Sequence, residues 1–306
     1  MNPDEFTLEE KNTDVGDGHT LYSQLWGSKA AKQTILFLHG GPGSGVNDGH
    51  KNQFDPSVQR VLFVDQRGSG KSTPQGSIKD NTTDKSVEDI VLLAKEYGID
   101  SFVVTGGSWG STLALVLAIR HPELVIALVL RGIFTARKSE IEYLDKGGIK
   151  TFFPDVWADY AATVPDEFKE DPGAFHGPRI LGDDQVAAKE SAYAYDTLEA
   201  SVVRLDDRRK LEDFDTYDKN GITIEYSYLA NACYLEEGYI LKNADKIKAP
   251  LHIVQGRYDT VCPPQTAYDL HMAVPGSKLH WTVSGHSGGD RNNWETTRAI
   301  LATLVS

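Results

Sequence analysis

Short apolar runs recur along the chain, each closed by glycine or by charged turn residues. They are residues 34–39 (TILFLH), 61–65 (VLFVD), 101–105 (SFVVT), 126–131 (IALVLR), 251–255 (LHIVQ) and 278–284 (KLHWTVS). Runs of this length, rich in Val, Ile, Leu and Phe, predict buried strands of a largely parallel sheet. Helical patterns lie between several of them. Residues 86–97 (SVEDIVLLAKEY) are apolar at i, i+3, i+4 spacing, and residues 112–120 form an apolar helix behind a glycine-rich turn. Strand and helix in alternation predict an α/β architecture with right-handed crossovers.

The middle of the chain breaks this rhythm. From about 137 to 243 no strand-like run occurs, and the text is helical and polar, with Trp157, many tyrosines and acidic clusters such as 206–209 (DDRR). The βα pattern resumes at Ile247. A helical insertion at this point is expected over the carboxyl ends of the strands, where open α/β sheets bind ligands. The expected domains are a core of residues 1–136 and 244–306 and a helical cap of residues 137–243.

Composition narrows the partners. The chain has 306 residues, 40% hydrophobic and 25% charged, the proportions of an ordinary globular protein. A net charge of −13 repels nucleic-acid phosphates and anionic membrane faces, and it tolerates a cationic small substrate. The first thirty residues are polar and acidic, with no secretory pattern, and no apolar run approaches a membrane span. Nucleic acid and membrane are therefore not expected as partners, and cytoplasmic residence is. Two cysteines, Cys233 and Cys262, make no disulfide framework, and nine scattered histidines offer no HExxH pair or Cys/His cluster. No metal or cofactor is expected. The oligomeric state is not legible.

The sharpest chemical signal is Gly106-Gly107-Ser108-Trp109-Gly110-Ser111, which contains G-x-S-x-G. It follows the run SFVVT and opens an apolar helix, the strand–turn–helix context of a nucleophile elbow. Flanking glycines relieve the crowding of so sharp a turn, and Ser108 becomes the candidate nucleophile. Upstream, TILFLH runs into His39-Gly40-Gly41-Pro42-Gly43. Acyl transfer needs backbone N–H donors at the oxyanion, and those of Gly41 and Trp109 are the candidate pair. His39 reads as a turn-stabilising residue, because a better base exists. That base is His286, after the last strand, and Asp259 follows the run LHIVQ. The order Ser108, Asp259, His286 at successive strand ends is that of the α/β-hydrolases.

Two motifs are decoys. Residues 67–73 (RGSGKST) end like a phosphate-binding loop, but the pattern needs glycine at position 65, which is Asp65. Residues 81–83 (NTT) match a glycosylation acceptor that is idle without a secretory signal.

Taken together, HGGPG (39–43), VDQRGSGKST (64–73), NTT (81–83), GGSWGSTLAL (106–115), LVLRGIF (128–134) and GRYD (256–259) resemble the proline iminopeptidases, or prolyl aminopeptidases. The resemblance covers most of the chain and is strongest in the core. It implies an α/β-hydrolase fold with an inserted helical cap, and short peptides with a free N-terminal proline as substrates. It also implies that acidic cap residues recognise the substrate amine. A tryptophan-rich helix ending in Trp-Glu matches residues 195–199 (YDTLE), which suggests Glu199. The second glutamate, in an Ile-Glu pair, matches Ile224-Glu225. Phe134, in the matching GIF segment, is implied as part of an apolar wall for the pyrrolidine ring. Tyrosine and leucine stand where the family usually has cap tryptophans, so a reshaped pocket is expected. Cys262, three residues past Asp259, is close enough for a thiol reagent to block access. Two other readings stay open: an esterase or amidase of the same fold acting on uncharged small molecules, and a catalytically idle relative that only binds a ligand.

Overall fold

The sheet begins with two strands that the apolar runs did not announce, β1 (Thr7–Gly16) and β2 (His19–Gly27). Gly16 pairs with His19 across the two-residue turn Asp17-Gly18, and both turn residues have positive φ, +55° and +80°. That is the requirement of the type I′ turn, which Asp-Gly satisfies at little cost. The six apolar runs follow as β3 (Thr34–Leu38), β4 (Arg60–Val64), β5 (Phe102–Ser108), β6 (Val125–Ile133), β7 (Leu251–Gly256) and β8 (Lys278–Thr282). The computed structural model describes residues 3–205 and 218–305, so the acidic cluster at 206–209 lies outside the described residues.

The strands bond in the order β1-β2-β4-β3-β5-β6-β7-β8. The first two pairs are antiparallel and every later pair is parallel. Every residue of β3 is buried, as a central strand covered on both faces requires. Side chains alternate between two apolar layers. Leu36, Leu38, Leu62, Val104, Leu128 and Leu130 enter one, and Ile35, Phe37, Val61, Phe63, Val103 and Val129 enter the other.

Helices cover both layers. Before β6 come α1 (Asp48–Lys51), α2 (Thr83–Glu96) and α3 (Trp109–Arg120). The Thr82 hydroxyl caps α2 by accepting from the Lys85 N–H. Between β6 and β7 lie α4 (Lys138–Asp145), α5 (Pro154–Ala161), α6 (Pro172–Ile180), α7 (Gln185–Val202), α8 (Lys219–Ala230) and α9 (Tyr239–Lys242), with no strand among the described residues. Then α10 (Pro264–Ala273) follows β7, and α11 (Arg291–Leu304) follows β8.

A third apolar cluster joins Ile149, Trp157, Tyr160, Tyr195, Leu198 and Tyr226 with Cys262. Helix α8 ties it to the sheet. Ile222 and Tyr226 face the helical cluster, whereas Ile224 and Tyr228 enter the layer over the sheet. Glu225 therefore sits at the seam between two cores.

Candidate active site

Strand β5 ends at Ser108 and α3 begins at Trp109, with no residue between them. This junction holds Ser108 at φ +55°, ψ −129°, a sparsely populated conformation that costs about 1–3 kcal/mol for a non-glycine residue. The surrounding glycines make the junction possible. A Cβ on Gly106 would lie 2.8 Å from the Leu38 carbonyl oxygen, and one on Gly110 would collide with the same oxygen. Their absence lets the first turn of α3 press against the end of β3. The Ser111 hydroxyl donates to the Ser108 carbonyl at 2.7 Å and accepts from the Phe134 N–H at 3.2 Å. The positive end of the α3 dipole thus lies at Ser108, where negative charge is favoured.

His286 and Asp259 meet across the ends of β8 and β7. The His286 Nδ1–H donates to both Asp259 carboxylate oxygens, at 2.9 and 3.1 Å. Asp259 also accepts from the backbone N–H groups of Val261 and Cys262, at 3.0 and 2.8 Å, and from Gln255 Nε2 at 3.0 Å. With Nδ1 donating, Nε2 is the ring nitrogen left to take a proton. The ring lies over Gly132 of β6, whose φ is +49° and where a Cβ would come within 2.9 Å of His286 Cε1. The neighbours of Gly132, Arg131 and Ile133, pair with Gly107 and Ser108, so the imidazole lies over the strand that adjoins Ser108. The loop bearing it is pinned: Asn293 Nδ2 donates to the Gly285 and Ser287 carbonyls, and Ser287 N–H donates to Val203 at the end of α7.

The Gly41 loop is equally fixed. Gly41 has φ +99°, and a Cβ there would come within 2.6 Å of the Gly43 nitrogen. His39 Nδ1–H donates to the Gly40 carbonyl at 2.9 Å, and its Nε2 accepts from the Gln66 N–H at 3.1 Å. Burial holds the His39 pKa below its usual value, so the ring is a neutral strut. The Gln66 side chain completes the brace by donating to the His39 carbonyl at 3.1 Å and accepting from Trp109 Nε1 at 2.7 Å. Gln66 thereby connects the two segments that carry Gly41 and Trp109.

Glu199 on α7 and Glu225 on α8 face each other. Burial first, then the charge of Glu199 and a hydrogen bond with it, push the Glu225 pKa well above the usual carboxylate range. The Tyr195 hydroxyl donates to Glu225 Oε1 at 3.4 Å. The Cys262 thiol is buried near both this pair and Ser108. Burial, followed by the charge of Asp259, pushes its pKa up, with Glu199 adding to the shift and Ser108 opposing it. Phe134 is half-buried and packs against both the sheet layer and the helical cluster. A cavity of about 770 Å³ between α5, α6 and α7 is lined by Tyr160, His176 and Leu198 but by none of Ser108, Asp259, His286, Glu199 or Glu225.

The alpha/beta hydrolase fold family matches residues 33–288. Proline iminopeptidase of Xanthomonas citri is 39% identical over 303 residues, covering 95% of each chain. That of Xylella fastidiosa is 40% identical over 291 residues, covering 91% of each. The chain belongs to the proline iminopeptidase family. A solved proline iminopeptidase from Mycobacterium smegmatis superposes with a TM-score of 0.60 at 18% identity, covering 97% of each chain, a likeness of fold.

Within this family frame the residues singled out from sequence fall into two groups. Asp259 joins His286, and Glu199 joins Glu225, while Cys262 donates its N–H to Asp259 and its thiol feels the charges of Asp259 and Glu199. Gly41, Trp109 and Phe134 flank the elbow. Tyr195 and Leu198, at the positions of the usual cap tryptophans, are both buried in the helical cluster, and Tyr195 supports Glu225. Sequence reasoning missed Gln255, which ties Asp259 to the Ile133 N–H and the Cys262 carbonyl. Its signal was a lone amide ending an apolar strand. It also missed Gly132 and Gln66.

The decoys resolve physically. Asp65 fills the would-be phosphate loop with its own carboxylate, accepting from the Val46 and Lys71 N–H groups at 2.7 and 2.8 Å. Asn81 is buried, donating to the Arg67 and Ser77 carbonyls and accepting from Tyr228, so no glycan has access to it. Among the described residues no helix is long and apolar enough to cross a membrane, and no cluster of His, Cys, Asp or Glu could hold a metal ion.

Proposed function

We propose that this protein is a serine aminopeptidase that releases N-terminal proline from short peptides. The observation that carries the reading is the Glu199–Glu225 pair, Glu225 buried and Glu199 half-buried, with Glu199 and Ser108 both acting on the Cys262 thiol. Two carboxylates forced together with little access to water repel when both are charged, and a substrate ammonium relieves that repulsion. A neutral ester gains nothing from the pair.

In the reaction, Ser108 Oγ attacks the prolyl carbonyl while its proton passes to His286 Nε2. Asp259 holds the imidazole in the required tautomer and stabilises the imidazolium. The Gly41 and Trp109 N–H groups hold the oxyanion. The C–N bond then breaks as His286 gives its proton to the leaving amine, leaving a prolyl ester on Ser108. Water attacks the ester, His286 takes its proton and returns one to Ser108, and proline departs. Residues 137–243 act as a cap over residues 1–136 and 244–306, limiting entry to short peptides. Phe134, at the seam, forms an apolar wall for the pyrrolidine ring.

A panel of proline, alanine and leucine arylamides and a neutral ester tests this. Proline arylamide should be the best substrate. A better neutral ester with dispensable glutamates would make the protein an esterase of the same fold. Wild-type protein that no fluorophosphonate labels, while Ser108→Ala behaves identically, would make it an idle binder.

A further inference from the structure

A second cleft, of about 930 Å³, opens behind the His286 loop, between α1 and the start of α11. Its wall carries Arg131, Arg204, Arg291 and Arg298 together with His50, and no carboxylate lines it among the described residues. In a chain of net charge −13, four guanidinium groups in one cleft run against the overall charge.

Arg131 is the most telling. Its Nη1 donates to the His286 carbonyl at 3.0 Å, and among the described residues it makes no ion pair. The carboxylates that act on it, Asp259 and Asp290, do so from beyond contact, and burial disfavours its charge. Room for the guanidinium is made on two sides by glycine, since a Cβ on Gly107 would collide with it and one on Gly288 would lie 2.5 Å from its Nε. A guanidinium has five N–H donors, and those of half-buried Arg131 that no protein acceptor takes are available at the cleft to ligand oxygens.

The rest of the cleft suits the same ligand. Arg298 stacks on Trp294, and Arg291 is largely exposed in an i,i+4 pair with Glu295 at 2.8 Å. His50 Nδ1 accepts from the Asn47 N–H, and burial with the Arg131 charge lowers its pKa to about 4. At neutral pH its Nε2–H is therefore a neutral donor. Ser287, Gly288 and Gly289 lead into the N-terminus of α11, a helix of 14 residues whose dipole favours negative charge.

We infer that this cleft binds a small polyanion, a molecule carrying two or more phosphate or carboxylate groups. Arginine forks match both oxyanions, and the volume falls in the range of about 300–1,000 Å³ typical of small-molecule sites. The inference does not depend on which substrate Ser108 attacks. Isothermal titration of the whole protein with pyrophosphate and with citrate, at matched ionic strength in sodium chloride, tests it. Saturable one-site binding is expected with at least one of them, and the tighter of the two identifies the oxyanion. Arg291→Glu with Arg298→Glu should weaken binding about 10-fold or more. Arg257→Glu, outside the cleft and stacked on Trp281, should leave it unchanged. Arg298→Gln alone, which keeps the shape, serves if the double variant does not fold. No saturable heat with either anion, or equal weakening by Arg257→Glu, would overturn the inference.

Discussion

The elbow at Ser108 and the glutamate pair at the seam are built in opposite ways. The elbow is local: strand, serine, helix, with glycines at positions dictated by the Leu38 carbonyl and the Arg131 side chain. The pair is assembled from α7 and α8, whose glutamates stand 26 positions apart and meet only because α8 packs into two cores at once. A local device can be strained and still persist, because short-range covalent geometry over-determines it. A convergent device pays for one buried and one half-buried carboxyl group with the apolar packing around them. If the elbow performs the bond-breaking and the pair reads the amine, variants of the two should part along kcat and KM.

The largest effect falls on the nucleophile. Ser108→Ala should lower kcat by about 10⁶-fold with little change in thermal unfolding, measured on proline arylamide. A residual kcat near wild type would remove Ser108 from the chemistry. Next, Asp259→Asn should lower kcat by about 10⁴-fold, because the amide favours the wrong histidine tautomer. Gly132→Ala tests the space around the imidazole. With φ at +49° and a Cβ 2.9 Å from His286 Cε1, it should cost about 100-fold in kcat while KM stays close to wild type. An unchanged kcat there would mean that the ring position is not critical.

The smallest effect on kcat, and the one that separates the regions, belongs to Glu225→Gln. KM for proline arylamide should rise about 10-fold or more, since an ammonium loses a charged, hydrogen-bonded partner. Stability should move the other way. The folded protein holds the Glu225 proton more tightly than the unfolded chain does, so folded stability is lost as pH rises above the ordinary carboxyl value of about 4.3. Glu225→Gln cannot ionise and escapes that loss. Its melting temperature should match wild type near pH 4 and exceed it progressively toward pH 8. Melting curves that run parallel across this range would contradict the buried, raised carboxyl.

This contrast also explains what could be read from the residues alone. Strands β3 to β7 were legible because burial leaves largely continuous apolar runs, and β8, half-exposed at the far edge of the sheet, from the run KLHWTVS. β1 was not, because an edge strand half-exposed to water carries Glu9, Glu10 and Lys11 and reads as polar; only Asp17-Gly18 marked its turn. Ser108, Asp259 and His286 were legible because each ends or follows a strand. Gln255 was hidden as the last residue of such a run, although its side chain spans β6, Asp259 and Cys262. Glu199 and Glu225 on their helices look like solvated residues, and family resemblance was needed to single them out. Tyr195 in place of a tryptophan suggested a reshaped pocket; its burial and its bond to Glu225 give it a supporting part that the sequence did not show.

The separation of bond-breaking from amine recognition is tested most directly by comparing kcat/KM for free and N-acetylated proline arylamide, on wild type and on the Glu199→Gln, Glu225→Gln double variant. Wild type should prefer the free amine by about 100-fold or more, two charge-assisted contacts at roughly tenfold each, and the double variant should lose that preference while keeping its fluorophosphonate labelling. Equal cleavage of the two substrates by wild type, or a preference undiminished in the double variant, would contradict it.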